Sequence, residues 1–483
     1  LRKTRTKSNA QLAMLNTEFY ARLRAAAAAP SQLRESGASP TPAEGLLQRI
    51  WLHQRLRRPQ LRTLDGQRLV VLHPGFWNHE AGPDFRDAVL QFGAQAPVTG
   101  DVELDLQPAN WHSHGHAGNP AYQGVRLHVV WQAEAAAVDG LPTLCLAGVL
   151  DSSLEELGEW LGGFDGAGLP PGLEGRCAAQ LAALPAAERS ELVAQAALVR
   201  LEAKARQLEA RAREAGLRQA LWEAMLGALG YKQNFWPMRR LGEVLPLGES
   251  VSVVAAQACL LGVGGLLPAD LERRQTEGDA YVRELWDVWW RERHRWLNDL
   301  LPRAVWRMHG LRPANHPQRR LALAGHWLAA PGWADQVEDW VARAGRPADV
   351  AQGLRECLQG TEDAYWSWHW NLTSARLGRP QPLLGDQRVT DLAVNVILPW
   401  LWLRASRGKN PELERKLQAR YLAWPAGEDN AVLRRLRQRM TPDSWRGLPR
   451  TAATQQGLLQ IWRDFCERTN SLCQDCRLPE LLR

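Results

Sequence analysis

No uninterrupted apolar run in these 483 residues approaches the roughly 18 needed to cross a bilayer, so a membrane-spanning helix is excluded. The first 35 residues are basic, with Glu18 and Glu35 as their acids, and no apolar signal core follows them. Cysteine is sparse: seven spread over this length do not make a disulfide scaffold, which points to a reducing cytoplasm. There is no Walker A lysine loop, no G-x-G-x-x-G after a strand and no G-x-S-x-G elbow. A nucleotide cofactor, dinucleotide redox chemistry and serine hydrolysis are therefore not expected. Lysine is scarce beside arginine, and with abundant alanine this looks like a high-GC genome rather than a functional choice. What remains is ordinary globular material, 45% hydrophobic and 23% charged, long enough for two or three folding units.

Punctuation divides the chain. Residues 1–40 read as a basic extension ending in a Ser/Gly/Pro segment. A helix follows from Thr41 to about Leu56, with Thr41, Pro42 and Glu44 in the order of a capping box. From Asp65 the period shortens, and strand-like runs appear at Leu69–Leu72, Ala88–Phe92, Val102–Leu106 and Val125–Trp131, with Leu144–Leu150 as a further candidate. After Ser152 the spacing is helical almost to the end, including 192–216, 218–229, 252–261, 279–299 and 432–439. The expected fold class is α+β: a mixed α/β sheet domain over 41–165, a large mostly α-helical domain over 166–460, and a cysteine-containing tail over 461–483. Tryptophan is abundant, with 23 in the chain, and Trp286, Trp289, Trp290 and Trp296 recur at helical intervals. Helix packing is the plain reading of such a stripe; base stacking is the other.

The chemistry-bearing stretch is Gly75-Phe-Trp-Asn-His-Glu-Ala-Gly-Pro-Asp-Phe85, followed by Gly100-Asp-Val-Glu-Leu-Asp-Leu-Gln107. In a strand, Asp101, Glu103 and Asp105 share one face while Val102, Leu104 and Leu106 share the other. Three like charges on one face repel unless water or a cation intervenes, and oxygen donors of this kind suit Mg²⁺ or Mn²⁺. Asp84 precedes the neighbouring strand and is placed to join Glu103. This order resembles the core of the PD-(D/E)XK nucleases: Pro83-Asp84 match its first acid and Glu103 its second. Glu44 is the candidate for the helix acid, with capping as the competing explanation. The departure is Asp105, where that superfamily usually carries lysine.

A tighter resemblance covers most of the chain. Gly82-Pro-Asp-Phe85, Gly100-Asp-Val-Glu103, Trp111 with His114-Gly-His116, Pro120-x-Tyr122 and Val125-x-Leu-His-Val-Val130 resemble the bacterial domain-of-unknown-function family 2851 (DUF2851). So do Gly230-Tyr-Lys-Gln-Asn234 with Pro237, Arg312-Pro-x-Asn-x-Pro317 with Arg319, Asn395-x-x-x-Pro399 and the closing cysteines. Members often carry Glu-x-His where this chain has Glu103-Leu-Asp105, and Asp where it has Asn110. The DUF2851 resemblance implies kinship rather than an activity; the PD-(D/E)XK resemblance implies a nuclease-like core in which Asp84 and Glu103 hold Mg²⁺ or Mn²⁺, with Asp105 as a further ligand or water-orienting acid. The expected reaction is phosphodiester hydrolysis in DNA or RNA; the alternative is a non-catalytic binding scaffold with a degenerate nuclease core, and a third is a His/carboxylate metallohydrolase of small substrates.

His112, His114 and His116 lie in a Gly/Pro-rich loop with His128 on the next strand; His114 and His116 are the candidates for ligand, acid or base, against structural hydrogen bonding. Cys466-x6-Cys473-x2-Cys476 carries three of the four ligands of a zinc or iron–sulfur site, the fourth coming from Cys177 or a histidine. Free thiols in a packed tail are the other reading. The net charge of +7 is modest, but its arginines cluster: Arg55, Arg57, Arg58 and Arg62; Arg200, Lys204, Arg206, Arg211, Arg213 and Arg218; and Arg434, Arg435, Arg437 and Arg439. Such patches suit a phosphate backbone, so nucleic acid is the expected partner, with Arg200, Lys204, Arg206, Arg211 and Arg213 as its contacts. A solvated helix face is the simpler account of any one patch.

Overall fold

Short apolar runs bounded by glycine and asparagine form the strands, as their period predicts. The computed structural model describes residues 17–28, 42–78, 82–132, 140–161, 175–248, 251–268, 279–308, 311–343, 345–358, 362–440, 446–466, 473 and 476–483. Among them, β1 (Leu69–His73), β2 (Phe76–Trp77), β3 (Phe85–Phe92), β4 (Val98–Asp105), β5 (Val125–Val130) and β6 (Thr143–Cys145) make one mixed sheet. Its order is β1-β3-β4-β5-β6 with β2 beside β3. The first part is antiparallel, whereas β4, β5 and β6 run parallel. Beyond residue 152 the described chain is mostly helical, so the fold is α+β as expected.

Helix α1 spans Glu18–Ala28 and α2 spans Glu44–Leu52; the latter carries Leu47, Ile50 and Trp51 as a single apolar stripe. That stripe packs on one sheet face with Leu69, Val71, Phe85, Val102, Leu104, Leu127 and Val129. Trp51 Nε1 donates to the carbonyl of Pro74 at 2.8 Å, pinning the helix over the β1–β2 turn. Gly75 makes that turn possible: its φ is +94°, and a Cβ there would sit 2.9 Å from the Cβ of Phe85. The capping box is not formed. The cap residue is Ala43, which offers no side-chain acceptor, so Glu44 stands at the first helical position rather than the third. Thr41 lies outside the described residues, as do His79, Glu80 and Ala81 of the carboxylate stretch.

At β1 and β3 the sheet also meets the helical part, because Leu72 and Val89 belong to the helical core and Trp236 Nε1 donates to the Leu72 carbonyl at 2.6 Å. The further helices α3 (Asn110–Ser113), α4 (Leu154–Leu161), α5 (Ala178–Ala183), α6 (Ala186–Ala215) and α7 (Leu217–Leu229) follow in order. A third core joins α1 to the end of the chain: Tyr20 is fully buried, its hydroxyl 2.9 Å from Asp464 Oδ2 and its amide donating to Gln195 Oε1 at 2.9 Å. Tryptophan serves packing in most places; Trp51, Trp222, Trp327, Trp333, Trp340, Trp366, Trp400 and Trp424 are essentially without solvent contact. In the Trp286–Trp296 stripe Trp289 is core, while Trp290 is exposed beneath the Arg293 guanidinium at 3.3 Å.

Helix α6 and the helix Ala452–Ile461 pack so closely that a Cβ on Gly457 would lie 2.1 Å from the Val193 carbonyl oxygen. Backbone cannot yield as a side-chain tip can. Gly457→Ala is expected to destabilise the protein by about 3 kcal/mol, near the upper end for overpacking. Gly332→Ala, where nothing lies within 4 Å, should stay within about 1 kcal/mol of wild type. Equilibrium chemical denaturation of the two variants checks the contrast.

Candidate functional site

The strand alternation holds where it matters. Val102 and Leu104 enter the core, and Glu103 and Asp105, on the alternate positions of β4, are buried all the same. Asp84 stands just ahead of β3 and interlocks with this strand. Its amide donates to Glu103 Oε2 at 3.0 Å, and its Oδ2 accepts the Leu104 amide at 3.1 Å. Its other oxygen accepts from Gln48 Nε2 of α2 at 2.7 Å. Asp101, expected alongside, turns instead to a bulge in β3: its Oδ1 accepts the amide of Asp87 at 3.2 Å, where the β3–β4 register slips.

Burying carboxyls side by side raises their proton affinity. Asp84 is pushed up to about 7, chiefly by burial, although the Leu104 amide and Gln48 pull the other way. Glu103 goes further, to about 9, through burial first and then the charge of Asp84. Glu44 is raised more gently by burial and by Asp105, so the first residue of α2 faces the same cluster.

Imidazoles close the far side. His128 on β5, in register with Glu103, is completely buried, with Nε2 3.0 Å from Asp105 Oδ2 and Nδ1 making no hydrogen bond. His114 Nδ1 lies 3.3 Å from Asp105 Oδ1, from an exposed loop position. His116 Nε2 approaches Glu103 Oε1 to 3.2 Å without the alignment of a hydrogen bond, and its ring stacks on Tyr122 at 4.1 Å. Burial lowers the His116 pKa, which favours the neutral imidazole. Trp111 packs edge-on against both His116 and Tyr122. His112 is exposed and makes no part of this arrangement. Among the described residues, Asp105, His114 and His116 offer donor atoms within 4.8 Å of one another, a set able to hold a metal ion.

The structure thus brings Asp84, Glu103, Asp105, His114 and His116 together and adds Gln48, His128 and Tyr122. Gln48 was legible as the residue one turn after Glu44. His128 was visible as a neighbouring histidine, but its pairing with Asp105 depends on the parallel β4–β5 register.

The basic residues of α6 divide. Arg200, Lys204 and Arg211 line a cavity of about 970 Å³, together with Lys232, Arg388 and Arg434 from other segments. Arg206 and Arg213 do not; Arg213 pairs along the surface with Glu209 at 3.8 Å. Arg211 is held by Glu223 at 2.7 and 2.9 Å. Lys204 reaches Asn395 Oδ1, Gln456 Oε1 (2.7 Å) and the Val394 carbonyl (3.5 Å), all neutral oxygens. Burial, then Arg200, drives its pKa well below the ordinary lysine value. Buried Arg388 leaves Nε and Nη2 without hydrogen bonds and lies 3.5 Å over the ring of Tyr231, itself in the left-handed region at φ +54°. The tail cysteines Cys466, Cys473 and Cys476 share the third core, and none forms a disulfide.

The family described as protein of unknown function, DUF2851, matches residues 44–430. The chain belongs to that family. The DUF2851 region contains the carboxylate–histidine cluster and most of the cavity lining, and it ends before the tail cysteines. No curated protein and no solved structure matches the chain. Among the described residues no helix is long and apolar enough to cross a membrane.

Two raised carboxyls bind protons more tightly folded than unfolded, so their contribution to stability falls as pH rises. The loss begins near the ordinary values of 3.8 and 4.5 and is complete above about 7 for Asp84 and about 9 for Glu103. In chelator, wild type should therefore lose thermal stability across this window relative to an Asp84→Asn/Glu103→Gln double variant. Mn²⁺ should restore it at the alkaline end. Parallel melting-temperature curves for the two proteins would contradict the assignment.

Proposed function

We propose that this protein is a metal-dependent phosphodiesterase acting on DNA or RNA. The observation that carries the reading is the interlocked pair Asp84–Glu103: a half-buried and a buried carboxyl, both raised by burial, with the charge of Asp84 raising Glu103 further, a combination a divalent cation relieves. The resemblance of Pro83-Asp84 and Glu103 to nuclease acids supports it. Asp84 and Glu103 would hold the ion, Gln48 would fix the rotamer of Asp84, and Asp105 would stand as a further ligand or water-orienting acid. A bound divalent ion would supply a more acidic water and charge stabilisation at the phosphorus. The neighbouring imidazoles favour Mn²⁺ over Mg²⁺ in the ligand competition. His116, with Nε2 beside Glu103 and its neutral form favoured by burial, would accept a proton from the attacking water, the task that lysine has in the nuclease pattern. Arg200, Lys204 and Arg388 of the cavity would take backbone phosphates.

One observation favours the scaffold reading instead. Asp105 stands where the nuclease pattern has lysine, and its two oxygens are engaged by His114 and His128. Incubating purified protein with single- and double-stranded DNA and RNA, with Mn²⁺, Mg²⁺ or chelator, separates the two. Cleavage should require metal. Gln48→Ala should weaken metal binding by roughly 10–100-fold, as loss of a supporting hydrogen bond does, and Glu103→Gln should cost more. Metal-independent binding without cleavage, unchanged by Glu103→Gln, would favour the scaffold. In either case Arg200→Ala should weaken nucleic-acid binding and reduce its logarithmic salt slope by about 1.

A further inference from the structure

Cysteines distant in the chain meet in one apolar core. Cys177 stands just before α5, Cys466 closes the helical segment Trp462–Cys466, and Cys473 and Cys476 follow it. Cys177, Cys473 and Cys476 are each 6% exposed, and Cys466 packs against the same cluster. Hydrogen bonds tie the Cys177 segment to the tail: the Gly175 amide donates to the Arg439 carbonyl at 2.8 Å, Arg439 Nη2 lies 3.3 Å from Cys473 Sγ, and Arg176 Nη1 donates to the Cys473 carbonyl at 3.0 Å. Cys473 holds a left-handed φ of 55°, and the amide of Cys476 returns to its carbonyl at 3.3 Å, closing the C-x-x-C turn. No disulfide joins any two of the four.

Four thiols in one apolar core, without a disulfide, are the donor set that thiophilic metals take. We propose that Cys177, Cys466, Cys473 and Cys476 are the ligands of an iron–sulfur cluster. Spacing separates a cluster from a single zinc ion. Tetrahedral zinc with Zn–S bonds of about 2.3 Å draws its sulfurs to about 3.8 Å from one another. No three of these four sulfurs close within 4.8 Å, as the Asp105 donors do, so the set is wider than one ion requires. A polynuclear cluster fills that span. It would join the loop before α5 to the chain end across the core that also holds α1.

This assignment stands apart from the phosphodiesterase reading; a protein that cuts nothing still tests it. Full-length protein purified without oxygen or chelator should show broad visible absorption bleached by dithionite, with iron and acid-labile sulfide in equal amounts. Cys177→Ser should lose at least about tenfold of that iron while its far-UV circular dichroism is kept, and Cys357→Ser, outside the cluster, should lose none. Alkylation mapping of the native wild type covers the case in which Cys177→Ser does not fold: the four cysteines should be protected together and become reactive together once the cluster is oxidised away. Zinc in place of iron, wild type with neither metal nor protected thiols, or Cys177→Ser with full iron would overturn the proposal.

Discussion

The structure depends on α6. This one helix gives Leu198, Leu201, Ala205 and Leu208 to the helical core, Ala203 and Ala210 to the sheet core, and Leu192, Val193, Ala196 and Val199 to the core that closes the two chain ends. At 30 residues it runs about 45 Å, long enough to cross all three. Its alanines are what allow it. A helix that must be packed on most of its circumference needs small residues where neighbours come closest, and large ones only where a core has room. Alanine, read from composition alone as a trace of genome bias, is here the residue that lets three cores share an axis.

The candidate site follows from a second constraint, the mixed direction of the sheet. Antiparallel β3 brings Asp84 to the end of β4, beside Glu103, while parallel β5 carries His128 into register with the same residue. The loop that β4 and β5 need for a parallel connection is where Trp111, His114, His116 and Tyr122 reside. A hairpin between these strands would have had no room for them. The chemistry-bearing residues are therefore concentrated by topology, and the acids are covered by the histidines of that loop and of β5.

How much of this was legible follows from how local each interaction is. The strands, α2 and the acid alternation of β4 rest on periods of two and 3.6, which sequence carries directly. The capping box failed because the helix begins at Glu44 behind Ala43, a start that no side chain caps and that local residue pattern therefore does not mark. Asp101 was put on one face with Glu103 and Asp105 since a strand without a bulge would have placed it there. The basic helix was read as one patch because sequence lists charges but not their partners: Glu223 holds Arg211, and Gln456 holds Lys204, from helices that sequence does not place nearby. Cys177 was visible only as a remote option for the same reason.

Gln456, next to Gly457 at the close contact of α6 with the helix Ala452–Ile461, has a consequence for the cavity. Its Oε1 is shared by Arg200 Nε at 2.8 Å and Lys204 Nζ at 2.7 Å. The two basic side chains are thereby held by an oxygen whose position depends on how closely two helices approach, and not only by their own flexible reach. The cavity wall is in this sense a gauge of the interior. A change in helix spacing too small to alter the fold would redistribute one oxygen between two basic groups, and the cavity would register it as a change of electrostatic potential.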